Sequence, residues 1–268
     1  MMKEQIKKYA AFLGLDCVGF TSAAPYNAAA GTEYSTAVVA LLPYYAGEYP
    51  EANVSRYAFG MDYHAVAKRK LTAIAEKFQL TDYRVHADIG PQVDKQLAIN
   101  AGLCFPGRNT LCINDKYGSY FFIGYLVCHL EAPFDVPDTR SCMGCGKCEA
   151  ACPGGALSGG KLNCEACLSH ITQKKGALTQ AEQQLVAQNG LVFGCDVCQA
   201  VCPHNQGAAL SPIAEFREGL MTHVYAADLE NLSEREFQRQ YGKRAFAWRG
   251  KKVLERNLRY IEILSGHK

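Results

Sequence analysis

The sequence lacks the features that mark a general nucleic-acid binder, a membrane protein or a secreted miniprotein. Its charge is nearly balanced, with 28 Lys and Arg against 26 Asp and Glu for a net of +2, so no global basic field attracts a polyanion. The uncharged apolar stretch 118–130 falls well short of the about 20 residues a membrane span needs, so no membrane association is expected. The first 15 residues carry Lys3, Glu4, Lys7 and Lys8, with Ile6, Tyr9, Ala10 and Leu13 at helical spacing. They read as an amphipathic helix rather than a secretory leader. A chain of 268 residues is long enough for roughly two domains with a real core, so disulfide staples are not needed. At 49% apolar, 20% charged and 10% aromatic, it is too apolar for long disorder.

Cysteine is what the chain has in excess. There are 13, and Cys17 alone lies outside the span 104–202. Without a leader the expected compartment is the cytoplasm, where thiols stay reduced and grouped cysteines bind metal.

Before that span the pattern alternates. Short apolar runs at 17–20 and 37–42 predict buried strands. In 64–78 the residues Ala67, Leu71, Ile74, Ala75 and Phe78 form a helical stripe. Residues 83–87 predict a strand ending at Asp88, and Pro91 suits the first turn of a helix running to Ala101. Two further strands, 110–113 and 119–130, are expected to be joined as a hairpin through 114–118. The fold class is therefore α/β (α+β) over 1–135. A cysteine-organised, two-cluster ferredoxin-like domain follows over 136–210, with a helix expected at 179–188. A helical C-terminal segment over 211–268 has helices expected at 233–239 and 251–264.

The first cysteine group is Cys142, Cys145, Cys148 and Cys152 followed by Pro153, the C-x2-C-x2-C-x3-C-P spacing of bacterial two-cluster ferredoxins. The second, Cys195, Cys198 and Cys202 followed by Pro203, is the same motif one cysteine short. Two 4Fe-4S clusters need eight thiolates, so the eighth is sought between the groups, at Cys167 or Cys164. In such motifs the last cysteine serves the neighbouring cluster. Cys142, Cys145, Cys148 and Cys202 then form one set, and Cys152, Cys195, Cys198 and Cys167 (or Cys164) the other. Zinc is the competing ligand for paired C-x2-C units, but the whole motif repeated in part favours iron and sulfur. The remaining cysteines read as small buried hydrophobes.

Several further blocks occur in order: 55–64 (SRYAFGMDYH), 88–91 (DIGP), 101–110 (AGLCFPGRNT), 118–124 (GSYFFIG), 167–172 (CLSHIT) and 194–205 (GCDVCQAVCPHN). With the cysteine spacing, these make the chain resemble the epoxyqueuosine reductase family, whose more distant relatives are reductive dehalogenases. The resemblance implies a cobalamin cofactor beside two 4Fe-4S clusters, and reduction of epoxyqueuosine to queuosine in the tRNA anticodon loop. An electron donor such as ferredoxin or flavodoxin is implied as partner. It also implies Asp88 as the general acid and Arg56, Cys112, Ile123 and Ser169 as corrinoid neighbours. A carboxyl buried against a corrin would hold its proton near neutrality; without the resemblance, Asp88 reads first as the N-cap of the following helix. Position 67 is alanine, so the D-x-H-x-x-G motif of cobalt-ligating histidines is incomplete at Asp62, Tyr63 and His64. Arg108 and Phe105 stand where the family has Lys and Trp, 23–35 is shorter than its counterpart, and the family's C-terminal helical-repeat domain has no counterpart here. Between Lys243 and Arg259 seven basic residues and Trp248 could grip an RNA loop. Two other functions fit the same residues: a corrinoid iron-sulfur reductase of a small molecule, and a ferredoxin-like electron carrier.

Overall fold

The computed structural model describes residues 2–265. After α1 (Met2–Phe12) come β1 (Val18–Ser22), α2 (Ala24–Ala30), β2 (Thr36–Pro43), α3 (Tyr63–Lys77), β3 (Arg84–Ala87) and α4 (Asp94–Asn100). A two-residue ribbon, β4 (Phe105–Pro106) with β5 (Cys112–Ile113), precedes β6 (Phe121–Cys128). Strands β1, β2, β6 and β3 form one antiparallel sheet in that order. Every residue of β2 is buried because the sheet is covered on both faces. Val38, Ala40 and Leu42 face one core with Ile6 of α1 and Val66, Leu71 and Ile74 of α3. The alternate residues Ala37, Val39 and Leu41 face the other, with Tyr26 of α2 and Leu97 and Ala98 of α4. The unbroken apolar run in the sequence is thus a strand with no solvent side. Gly124 lets α3 lie close on β6: a Cβ there would come within 3.0 Å of Leu71 Cδ1 and 3.1 Å of Leu42 Cδ1.

Two local expectations are corrected. Helix α4 begins at Asp94, not in the turn after Pro91, because Asp88 (φ 62°) and Gly90 (φ 148°) turn the chain into a loop first. Its N-cap is Val93, without a side-chain hydrogen bond, so Asp88 does not cap it. The expected hairpin is also divided. The chain does reverse between Asn114 and Gly118, but β5 pairs with β4 while β6 enters the main sheet between β2 and β3. A strand apolar on both faces gains more at the centre of a covered sheet than in an exposed two-stranded ribbon.

The cysteine-rich part is held by short elements: α5 (Lys147–Ala150), the ribbon β7 (Leu157–Ser158) with β8 (Lys161–Leu162), α6 (Leu168–Ile171), α7 (Gln180–Asn189) and α8 (Val197–Ala200). Its own apolar core is small, comprising Leu168, Ile171, Leu178 and Val186. Beyond it, α9 (Ala226–Leu229), α10 (Glu234–Tyr241) and α11 (Lys251–Ser265) bury Phe237, Phe246 and Leu254 against Val54, Phe59 and Phe193. The C-terminal helices therefore pack on both preceding parts of the chain. Among the described residues no helix is long and apolar enough to cross a membrane.

A buried polar knot ties the second cysteine group to the sheet. Asn205 Oδ1 accepts from Ser119 N (2.6 Å), and Asn205 Nδ2 donates to Gln199 O (2.8 Å) and Ser119 Oγ (3.0 Å). Gln199 Nε2 donates to Ser119 O (2.9 Å) and Tyr44 Oη (3.0 Å). Gly118, at φ 56°, must stay glycine because a Cβ would fall 2.0 Å from Asn205 Oδ1. Asn205→Ala strands a buried N–H and a buried C=O, each costing about 1–3 kcal/mol. A clear drop in the melting temperature is expected, and calorimetry of wild type and variant checks it.

Candidate cluster sites and active-site cleft

The 13 cysteines are all free thiols. Cys142, Cys145, Cys148 and Cys202 line one cavity. Cys152, Cys167, Cys195 and Cys198 line another. Each set takes its members from both halves of the motif, with Cys152 and Cys202 exchanged. Cys167 completes the second set at the start of α6, while Cys164, three residues earlier, is exposed and lines neither cavity. The loop 142–148 can bend so tightly because Gly144 and Gly146 adopt φ 68° and 73° with open space beside them.

The donor set fits iron-sulfur clusters. Among the described residues no three His, Cys, Asp or Glu side chains converge on a single metal ion. Each set of thiols surrounds a space, as the corners of a cubane require and a tetrahedral zinc does not. Donors are already aimed at the sulfur atoms: Arg108 N reaches Cys142 Sγ at 3.3 Å and Ala156 N reaches Cys152 Sγ at 3.2 Å. Among the described residues, the buried Nδ2 of Asn109, which lines both cavities, has no partner, and neither does His204 Nε2 beside the first. Burial pushes the Cys195 thiol up to about 11 and the Cys198 thiol up to about 12. Ligation takes the thiolate, so loading these positions must release protons.

The second cysteine cavity adjoins a cleft. It shares Leu111, Ser119, Phe121 and Phe122 with a cavity of about 450 Å³ that is also lined by Tyr63, Asp88, Asp94, Cys112 and Ile123. Tyr63 and Asp88 are shared in turn with a cavity of about 570 Å³ bounded by Asp62, His64, Gln173 and Trp248. The floor is aromatic: the Tyr63 ring stacks on Phe122 at 3.9 Å and on His64 at 4.0 Å. Such a broad, partly open space, with an aromatic floor and polar groups along its lining, has the form that a flat macrocycle needs.

Asp88 stands at that edge, directly after β3, its side chain 70% exposed. Tyr63 Oη donates to Asp88 Oδ2 at 2.6 Å, and His64 Nε2 lies 3.8 Å from the same oxygen. Burial and the Asp88 carboxylate push the Tyr63 phenol well above its ordinary value, so it remains a donor. Asp62 holds His64 from behind, Nδ1 to Oδ1 2.7 Å. Asp94 Oδ1 accepts from Asp88 N at 3.2 Å, and burial raises the Asp94 carboxyl.

The four expected corrinoid neighbours separate. Cys112 and Ile123 line the 450 Å³ cavity. Ser169 lines the second cysteine cavity. Arg56 lines none of the three; its guanidinium pairs with Glu48 at 2.5 Å and faces Asp196 at 3.6 Å and the Tyr120 ring. Asp196, between Cys195 and Cys198, also accepts from Ser55 Oγ (2.5 Å) and Arg56 N (2.7 Å). Arg56 thus clamps a cluster loop to the first part of the chain. The basic run divides likewise. Arg244 donates to Phe59 O and Gly219 O, Arg256 to Lys174 O and Gly176 O, and Lys251 to Leu229 O. Phe246 is buried. Lys243, Lys252 and Arg259 are exposed, and Arg249 lies over the Trp248 ring at 3.6 Å. Asn109, Asp94 and Asp196 carry no motif of their own that sequence could single out; Asn109 and Asp196 fall within the matched blocks, and Asp94 lies outside them.

Comparison with known proteins agrees with this layout. Residues 27–94 match the family described as epoxyqueuosine reductase QueG, DUF1730, and residues 141–205 match the 4Fe-4S double cluster binding domain. An epoxyqueuosine reductase of Lactococcus garvieae is 37% identical over 220 residues, which is 80% of this chain and 62% of the relative. A solved epoxyqueuosine reductase bound to an epoxyqueuosine-modified tRNA-Tyr stem loop superposes with a TM-score of 0.83 at 27% identity, covering 97% of this chain and 80% of that one. An epoxyqueuosine reductase of Listeria monocytogenes is 31% identical over 312 residues, spanning all of this chain and 81% of the relative, and the chain belongs to the epoxyqueuosine reductase family of oxidoreductases.

Proposed function

We propose that the chain is an iron-sulfur and cobalamin-dependent reductase that converts epoxyqueuosine in a tRNA anticodon loop to queuosine. The observation that carries this reading is the shared wall of Leu111, Ser119, Phe121 and Phe122 between the second cysteine cavity and the Asp88 cleft. We assign the cleft to residues 1–135, the clusters to 136–210 and an RNA-facing helical part to 211–268. We place the protein in the cytoplasm, where its thiols stay reduced.

Cys142, Cys145, Cys148 and Cys202 would hold one 4Fe-4S cluster, and Cys152, Cys167, Cys195 and Cys198 the other. Cys112 and Ile123 would contact the corrinoid in the 450 Å³ cavity, with Ser169 on the cluster side; the role of Arg56 is to position the Asp196 loop. When bound, the clusters pass single electrons from a carrier such as ferredoxin or flavodoxin and the corrinoid supplies low-valent cobalt. Reducing an epoxide to an alkene consumes two electrons and two protons and releases water. Asp88 delivers a proton to the departing oxygen, with Tyr63 orienting its carboxyl and His64 beside it. Trp248 and Arg249, at the far rim, offer a stacking face and charge to a loop nucleotide, flanked by exposed Lys243, Lys252 and Arg259.

Anaerobic reconstitution with iron, sulfide and cobalamin, followed by assay on an epoxyqueuosine-modified stem loop, tests the whole reading; a protein that takes up no corrinoid refutes it. Asp88→Asn is expected to lower turnover by about 10²–10⁴-fold, with the corrinoid absorption and iron content of wild type. Undiminished turnover removes Asp88 from the reaction. In the cluster domain Cys167→Ser should cut bound iron from about eight atoms per chain towards four, while Cys164→Ser keeps the full complement. The reverse result transfers the ligand to Cys164.

A further inference from the structure

Two thiols outside the cluster sets sit together in the cleft wall. Cys104 immediately precedes β4 and Cys112 opens β5, where Pro106 pairs with Cys112. Cys104 is two positions from Pro106, so its side chain lies diagonally across the ribbon from Cys112 on the same face. Both belong to the core beneath α4, with Leu97 and Ala101, and each thiol perturbs the titration of the other. Cys104 is 1% exposed; Cys112 is 6% exposed and lines the 450 Å³ cavity. The two are unlike. The adjacent Cys104 thiol and the nearby Lys95 ammonium lower the Cys112 thiol, while the adjacent Cys112 and burial push Cys104 up. Cys17 and Cys128 are pushed up to about 11 by burial.

We propose that Cys112 and Cys104 form an oxidisable dithiol in the cleft wall, with Cys112 as the attacking sulfur, Cys104 as the resolving one and hydrogen peroxide as the oxidant. A thiol lining a cavity that admits small molecules, with a second thiol beside it on the same ribbon face, is the arrangement such chemistry needs. The Cys112 thiolate attacks one peroxide oxygen, the O–O bond breaks, and hydroxide leaves to take up a proton as water. Cys112 is then a sulfenic acid. Cys104 sulfur displaces that hydroxyl, its proton departs with it as a second water, and the S–S bond forms. Overall two thiols lose two electrons and two protons, and one peroxide becomes two waters. The chemistry requires neither RNA nor a bound corrinoid, so its test is separable from that of the reductase reading.

Cluster-loaded protein is treated anaerobically with stoichiometric hydrogen peroxide, alkylated, and digested with trypsin, which cuts after Arg108. The expected product joins peptides 96–108 and 109–116, two hydrogens lighter than their sum, and dithiothreitol separates it. Bound iron stays at its starting level at that dose. In Cys104→Ser a 1,3-dione probe should label Cys112 as the sulfenic acid; in Cys112→Ser both link and label should be lost. Cys104 and Cys112 recovered as alkylated thiols while cluster cysteines oxidise overturns the proposal, and so does sulfenic acid on Cys104 instead of Cys112.

Discussion

The exchange of one cysteine between the two halves of the motif is the constraint on which the cysteine-rich region depends. Cys202 faces Cys142, Cys145 and Cys148, and Cys152 faces Cys195 and Cys198, so neither cavity closes unless both halves of the region are in place. The apolar core there is a handful of side chains, too little to order so much irregular chain by burial alone. Ligation must supply much of the folding free energy of this part. Its position is set independently of the ligands, through the Asn205 and Gln199 hydrogen bonds to Ser119 and through Arg56 and Ser55 on Asp196. The same residues that register the cluster loops also bring one cavity against the cleft.

That adjacency organises the chemistry. Phe121 and Phe122 start the strand that lies between β2 and β3, Ser119 leads into it, and Asp88 follows the last residue of β3. Neighbouring strand ends therefore present the wall facing the thiols and the acid at the opposite edge. Tyr63, at the first turn of α3, links the two by stacking on Phe122 while donating to Asp88. A rigid sheet edge fixes the spacing between that wall and Asp88 more reproducibly than loops would.

Much of this was legible in the sequence, for physical reasons that differ by element. The strand at 37–42 and the helix at 64–78 announce themselves because burial on a covered sheet demands an apolar run and a stripe, and both lie within a residue or two of where they were expected. The cysteine spacing is legible because cubane geometry restricts it. The choice of Cys167 over Cys164 was not, since it depends on which thiol the turn into α6 turns inward. The late start of α4 was hidden by Pro91, which suits a helix's first turn but here lies in a loop that Asp88 enters with a left-handed backbone. Arg56 was singled out by the resemblance alone; that its guanidinium, paired with Glu48, also faces Asp196 about 140 residues away is a contact no local pattern encodes. In the basic run, counting charges could not reveal that Arg244 and Arg256 spend theirs on backbone carbonyls.

Trp248 is the only tryptophan in the chain, and it is 59% exposed at the cleft rim with its indole N–H on Gln173 Oε1 at 3.3 Å. All indole fluorescence of the molecule consequently originates at one wall of the space where substrate and macrocycle would meet. A visible-light-absorbing ring arriving nearby accepts its excitation energy, and a stacked nucleobase quenches it, so occupancy can be followed optically without attaching a label.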